Sequence, residues 1–337
     1  MIELIALRRF LVRPTAYVNG RVYTVDARSR WAEALLVTDG RITTVGSSDE
    51  IRAAAPADAE SMDLRGGMVM PGLHDAHTHM LLSGLKFHYE QRLTPNAGAE
   101  QIVQDLTAGC CTGHGSALPD GWIIGGEFNP LALGDDRPDR AWLDEAFPDR
   151  PVYLFDYSIH HALVNTRALE LAGLTAETPH PPGGRFVRRP DSGELTGELI
   201  EQATWPVNRV MPDYSADIYR AAMAWAVKVC NSVGITSVQE ASTGPQVLGA
   251  LAALESTDEL TLQVATHIVW REETAGKASV AELDKLSEQR AEHASRHVRT
   301  DFVKLWLDGA PLPPHFTDAG LTEDGEVAGQ NLLVPAR

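Results

Sequence analysis

The sequence predicts an α/β protein in which a small β-domain precedes parallel βα units. Three observations carry that expectation. Residues 16–65 read as short strands broken by tight turns. Residues 66–84 then hold an apolar strand, Met68-Val69-Met70, that meets Pro71-Gly72 and runs into His74-Asp75-Ala76-His77-Thr78-His79. From Ser215 onwards, strand-like runs alternate with capped helices, the pattern of a parallel sheet.

The chain has 337 residues, enough for about two domains, and a hydrophobic fraction of 44%, which predicts a sizeable core. Its 46 acidic residues against 29 Lys plus Arg give a net charge of −17. Nucleic acid or an anionic membrane surface would need clustered positive charge, so neither is an expected partner. No apolar run is long enough to span a bilayer. Cys110, Cys111 and Cys230 lack a C-x-x-C spacing, which points to a reducing, cytoplasmic setting. Residues 1–15 read as an N-terminal extension; Arg8 and Arg9 follow apolar residues, the reverse of a secretory signal.

Within 16–65, Asn19-Gly20 and Asp39-Gly40 each lie between strand-like runs, and both predict two-residue hairpins. Ser47 with Glu50 three residues on predicts a capped helix. Residues 85–212 do not read as plain βα repeats and are expected to form an insertion. It includes strands near 122–126 and 151–155, and a helix over 166–171 capped by Asn165 and ended by Gly173. In 213–309, Ser215 caps a helix ended by Gly234, Ile235-Thr236-Ser237-Val238 starts a strand, and a helix follows over 245–254. A strand over 260–269, a helix opened by Ser279 and Glu282, and a strand over 301–308 complete the pattern.

Strand residues two apart point the same way, so His77 and His79 present both imidazoles on one side. That suits metal chelation, since imidazole is the commonest metal ligand, but two structural histidines at a strand end have the same spacing. The run Pro71-Gly72-Leu73-His74-Asp75-Ala76-His77-Thr78-His79 resembles the first-strand signature of the amidohydrolase superfamily. The resemblance implies a (β/α)8 TIM-type barrel behind an N-terminal β-sandwich, with the insertion after strand 1 lying over the barrel mouth. It implies that His77 and His79 bind a divalent metal, usually zinc, as one or two ions, with His74 and Asp75 in support.

The run Val303-Lys304-Leu305-Trp306-Leu307-Asp308 alternates. Val303, Leu305 and Leu307 would pack on helices, while Lys304, Trp306 and Asp308 point inward. Counted from His77 and His79, Lys304 falls on strand 4, where the resemblance implies a carbamylated lysine bridging metals. A lysine paired with a nearby carboxylate is the alternative. This stretch, Gly20-Arg21-Val22-Tyr23-Thr24, and His160-His161-Ala162-Leu163-Val164-Asn165 are similar to the branch holding N-substituted formamide deformylase. The resemblance spans about Ala16 to Gly309 and implies a metal-dependent hydrolase of C–N bonds in small amide-like substrates. Its expected metal ligands are His77, His79 and Lys304, and its expected substrate contacts are His160 and Trp306.

The pattern departs from the superfamily after Lys304. Residues 310–337 offer His315, Asp318 and Asp324, none in the context of the later strands' histidines or of the aspartate that acts as general base. Only about strands 1–4 of the barrel are expected here, with the base aspartate beyond the chain. Exposed strand edges then predict association, either as a homo-oligomer or with the missing barrel half. A truncated, catalytically inactive metal-binding or assembly subunit is the competing expectation.

Overall fold

The computed structural model describes residues 13–112, 121–133, 137–270 and 278–305, in two compact units divided between Leu73 and His74. No helix among the described residues is long and apolar enough to cross a membrane.

The first unit contains β1 (Thr15–Val18), β2 (Arg21–Tyr23), β3 (Trp31–Ala32), β4 (Ala34–Thr38) and β5 (Arg41–Gly46), then α1 (Ser48–Ala54), β6 (Glu60–Asp63) and β7 (Met68–Val69). They form two sheets, ordered β5-β4-β1-β6 and β3-β2-β7. The Asp39-Gly40 turn joins β4 to β5 as the sequence predicts, with Thr38 opposite Arg41 and φ of 53° and 72° at the turn residues. Asn19-Gly20 behaves otherwise. Asn19 has φ 57°, but β1 pairs with β4 and β6 while β2 pairs with β3 and β7, so this turn carries the chain from one sheet to the other. A type I′ hairpin needs positive φ at both central residues, and Gly20 is not among the residues that have it. The α1 capping box forms between Ser47 and Glu50, and Ile51 packs on Ala16, Val18, Ala34 and Leu36.

The second unit begins with β8 (Leu73–Thr78) and α2 (Met80–His88). The inserted segment follows, with β9 (Gln91–Arg92), α3 (Ala99–Thr112), β10 (Ile123–Phe128), α4 (Ala141–Ala146), β11 (Val152–Asp156), β12 (His161–Val164), α5 (Thr166–Leu171), β13 (Gly184–Arg188), β14 (Leu195–Glu201) and α6 (Trp205–Val210). Its six strands form one sheet, ordered β13-β14-β12-β11-β10-β9, parallel from β9 to β11 and antiparallel beyond. Side chains alternate between two cores. Trp122, Ile124, Tyr153 and Leu199 pack on one face, and Ile123, Leu154, Leu163 and Leu106 on the other. Both faces are covered, and the central strands β10 to β12 are mostly apolar, as in buried sheets. The sequence marked only β10 and β11; β13 carries Gly184 and Arg185 and β14 carries Glu198, which mask the strand pattern.

The chain then forms α7 (Ala216–Ser232), β15 (Ile235–Thr243), α8 (Pro245–Glu255), β16 (Gln263–Val269), α9 (Val280–Glu288) and β17 (Val298–Lys304). Ser215 caps α7 and a Ser279–Glu282 capping box opens α9. The strands β8, β15, β16 and β17 are neighbours in chain order in a four-stranded sheet, with β15–β16 and β16–β17 parallel. This is the order of the first four strands of a barrel, and the sheet does not close among the described residues. Val238, Val264 and Val298 pack beneath Met80, Leu85, Met223 and Leu251 of the surrounding helices. Close approach of α2 to α7 requires Gly84, where a Cβ would lie 2.2 Å from the Ala222 carbonyl oxygen. Val303 and Leu305 are exposed, at 54% and 40%, so the outer packing expected of them is not met by the described residues. In β17 the buried positions are Val298 and Thr300, and the β16–β17 register shifts between Ala265 and His267.

Candidate metal centre

His77 lies near the end of β8, and His79 immediately follows that strand, ahead of α2. Their rings are 5.3 Å apart and nearly perpendicular, at 85°. The neighbouring residues fix the strand end. Asp75 Oδ1 accepts the His77 N–H at 3.0 Å, and His74 lies 2.8 Å from Ser237 Oγ through Nδ1 and 3.1 Å from the Gln239 amide nitrogen through Nε2. With that amide donating, His74 Nε2 accepts and Nδ1 carries the proton, which ties β8 to β15.

Glu240, near the end of β15, is only 2% exposed. One carboxylate oxygen accepts the Met80 N–H at 2.6 Å, and the other accepts the Ser242 N–H at 3.3 Å and lies 3.8 Å from His79 Nδ1. His79 supplies no side-chain cap to α2, so Glu240 satisfies a free N–H of the first turn from another strand and places a negative charge at the positive end of the helix. Its second oxygen faces the His79 ring.

His267 on β16 and Lys304 at the end of β17 complete the cluster. Lys304 pairs with Val269, and His267 with Phe302, whose ring is 5.2 Å away. Burial lowers the pKa of His77, and the positive charges of His79 and Lys304 lower it further, against Asp75 and Glu240. His267 is lowered in the same way, by burial and then by Lys304 and His77, with Glu240 opposing. Both shifts favour the neutral imidazole, the form that donates to a metal. The Nε2 of His267 is buried without a hydrogen-bond partner among the described residues. An orphaned imidazole nitrogen beside two histidines and a lysine is a donor set suited to a divalent cation. Among the described residues no three His, Cys, Asp or Glu side chains converge closely enough to form a complete site by themselves. The residues therefore fit part of a coordination sphere.

Of the other expected residues, His160 alone is among those described. His160 lies in the inserted segment between β11 and β12, with Nδ1 2.8 Å from Glu201 Oε2. Trp306, Asp308, His315, Asp318 and Asp324 lie outside the described residues. Sequence reading assigned no role to Glu240 or His267. Their strands were recognisable, but no local motif marks residues whose partners lie on other elements, Met80 being 160 positions from Glu240 and Phe302 35 from His267.

A model of the "Amidohydrolase family" matches residues 60–328. The N-substituted formamide deformylase of Arthrobacter pascens is 37% identical over 195 residues, covering 57% of this chain and 35% of that protein. The protein LONG AFTER FAR-RED 3 of Arabidopsis thaliana is 32% identical over 230 residues, covering 68% of this chain and 38% of its own length. The chain thus spans a little over a third of these relatives. The crystal structure of an uncharacterized metal-dependent hydrolase from Pyrococcus furiosus superposes with a TM-score of 0.62 at 25% identity, over 88% of this chain and 57% of that one. Its counterpart from Pyrococcus horikoshii, at 22% identity and a TM-score of 0.63, shows the same fold. The family match covers most of the sequence and agrees with the strand order, so this chain belongs to the amidohydrolase family.

Proposed function

We propose that this chain carries the first part of the metal centre of a hydrolase that cleaves C–N bonds in amides or N-substituted formamides. The observation that supports it best is the pair of His77 and His79, with rings 5.3 Å apart at the end of β8, in the same sheet as Lys304, whose charge acts on His77. His77 and His79 would hold the ion, zinc being the usual one, and Lys304, carbamylated, would supply a bridging carboxylate. A bound divalent ion supplies Lewis acidity at the substrate carbonyl and acidifies water near neutral pH. Glu240 fixes the His79 ring, His267 contributes a neutral nitrogen, and Asp75 anchors the backbone of His77. His160 and Trp306 are assigned to the substrate. The expected partners are a small amide-like substrate and, along the edges of the sheet, a second copy or the complementary barrel strands, in the cytoplasm.

The lack of three convergent His, Cys, Asp or Glu ligands among the described residues favours a second reading, a metal-binding or assembly subunit without turnover. One experiment separates the two. The chain is loaded with zinc and bicarbonate, its metal content is measured by mass spectrometry, and amine release is followed from a panel of N-substituted formamides and amides. Bound zinc with amine release supports the hydrolase. Bound zinc without release from any substrate supports the second reading, and failure to hold zinc refutes both.

A further inference from the structure

The inserted segment joins the main sheet through two crossings of the chain, and one side-chain contact ties those crossings together. The chain enters the segment at Glu90, between the end of α2 and the start of β9, and returns from it at Tyr214, between α6 and α7. The Tyr214 hydroxyl donates to Glu90 Oε1 at 3.4 Å, across 124 positions of sequence. Tyr214 packs both on the core around the main sheet and on one core of the inserted sheet. Its backbone N–H donates to the Tyr219 hydroxyl at 3.3 Å, and that hydroxyl donates to Asp213 Oδ1 at 3.2 Å. The return crossing is thus fixed to α7 while it reaches across to the entry crossing.

Glu90 is badly placed for a negative charge. It is only 7% exposed, and its Oε2 is buried without a hydrogen-bond partner among the described residues. It sits just past the C-terminal end of α2, where its N–H donates to the Leu85 carbonyl at 2.9 Å and the helix dipole disfavours an anion. Lys86, one turn back on the same helix, faces Glu90, Glu127 and Asp156. Its amine lies over the Phe155 ring, 5.3 Å from the centre, and no ion pair joins it to Glu90 among the described residues. The other ionisable neighbours are phenols: Tyr214 and Tyr219 at the return crossing, and Tyr153 on β11, all held protonated by burial. Burial is also the largest effect on Glu90, and it pushes the carboxyl from 4.5 up to about 7 against Lys86 and the Tyr214 hydrogen bond.

We propose that Glu90 and Tyr214 form a proton-controlled clasp at the base of the inserted segment. With the carboxyl protonated, the clasp is closed and the two crossings are held together. When the carboxyl gives its proton to solvent, the anion draws in water, the contact with Tyr214 opens, and the inserted segment gains freedom to move against the main sheet. Hinges of this kind lie in a few residues at the ends of elements. Opening is coupled to proton release, so it rises with pH and levels off once Glu90 is ionised in the closed form as well. The clasp is independent of the hydrolase reading, and its test involves no turnover.

The test follows amide exchange by NMR, corrected for intrinsic exchange, between about pH 6 and pH 8, on wild type, Glu90→Gln and Tyr214→Phe. The reporters are the N–H groups of Tyr89 and Glu90, both bonded to the Leu85 carbonyl, and of Tyr214; the Val264 N–H in β16, bonded to the His297 carbonyl, is the control. A carboxyl that titrates at 4.5 when open and at about 7 when closed lowers protection at the crossings about tenfold over this range, while Val264 stays within about twofold. Glu90→Gln is neutral at every pH and should abolish the dependence, with protection at or above the wild-type level of the acid end. Tyr214→Phe should lower protection at the acid end about 2- to 10-fold, the worth of one hydrogen bond. Carbon-13 NMR of the wild-type Glu90 carboxyl reads the clasp without any variant and should show a midpoint near 7. A midpoint near 4.5, a tenfold dependence that survives in Glu90→Gln, unchanged protection in Tyr214→Phe, or a parallel change at Val264 overturns the proposal.

Discussion

Replacing Glu240 tests whether this residue links helix stability to metal affinity. Glu240→Ala leaves the buried Met80 N–H and the Ser242 N–H without their acceptors. An unmet buried donor costs about 1–3 kcal/mol and the part-buried Ser242 N–H less, so the unfolding free energy should fall by roughly 1–4 kcal/mol. Glu240→Gln keeps one acceptor oxygen and loses the negative charge at the start of α2, for a smaller loss of about 1 kcal/mol. The carboxylate also faces the His79 ring, and removing a group that orients a metal-ligating histidine typically weakens binding by about 10- to 100-fold. Urea unfolding and competition titration with a zinc-sensitive dye measure the two effects separately. Alanine should show both, glutamine mainly the second. If Glu240→Ala unfolds within about 0.5 kcal/mol of wild type and binds zinc unchanged, the assignment of Glu240 as a joint helix cap and histidine anchor is wrong.

Other consequences are independent of that residue. His77 is exposed, so His77→Asn should change stability by less than about 0.5 kcal/mol while equilibrium dialysis shows zinc binding weakened at least 100-fold; preserved binding would remove His77 from the ligand set. Burial opposes the charge on His161, but its hydrogen bonds and ion pairs with Asp156 and Glu201 prevail and push its pKa up from 6.5 to about 9. A folded-state pKa above the unfolded one stabilises fully below pH 6.5, and that stability is lost as pH rises through 9. The loss is about 3 kcal/mol, and Asp156→Asn should flatten it in urea titrations across this window; an unchanged slope would contradict the linkage. Asn165 is fully buried and makes four hydrogen bonds, accepting from Val152 and Ala168 and donating to Phe147 and Arg150. Asn165→Ala should cost roughly 3–4 kcal/mol of unfolding free energy, and a loss below 1 kcal/mol would show that water replaces those partners.

Local signals were legible where the structure is local. The two Ser–Glu capping boxes, the Asn165 and Ser215 caps, and the Asp39-Gly40 hairpin each depend on a few adjacent residues. The four strands of the main sheet and the adjacency of His77 and His79 were also readable, from apolar runs and period-two spacing. Asn19-Gly20 misled because turn chemistry specifies a reversal but not which sheet receives the next strand. Glu240 and His267 escaped because their meaning comes from tertiary pairing. Glu240 is defined by a helix start 160 positions earlier, and His267 by charges on β8 and β17. His160 was visible as a motif position, but Glu201, 41 residues away, gives its ring a direction.

The detour between β8 and β15 has a kinetic consequence. His74 meets Ser237 across 163 residues, and closing a flexible loop of that length costs about 4.5 kcal/mol in chain entropy beyond a constant. The intervening segment has two hydrophobic cores of its own, one on each face of its sheet. Once these have collapsed, its ends are no longer free coil and much of that entropy has already been lost. Formation of the inserted sheet is therefore expected to precede docking of β8 onto β15. Amides of β10 to β12 should gain exchange protection before those of β15, and the two candidate ligands at positions 77 and 79 should be among the last groups to reach their native neighbours.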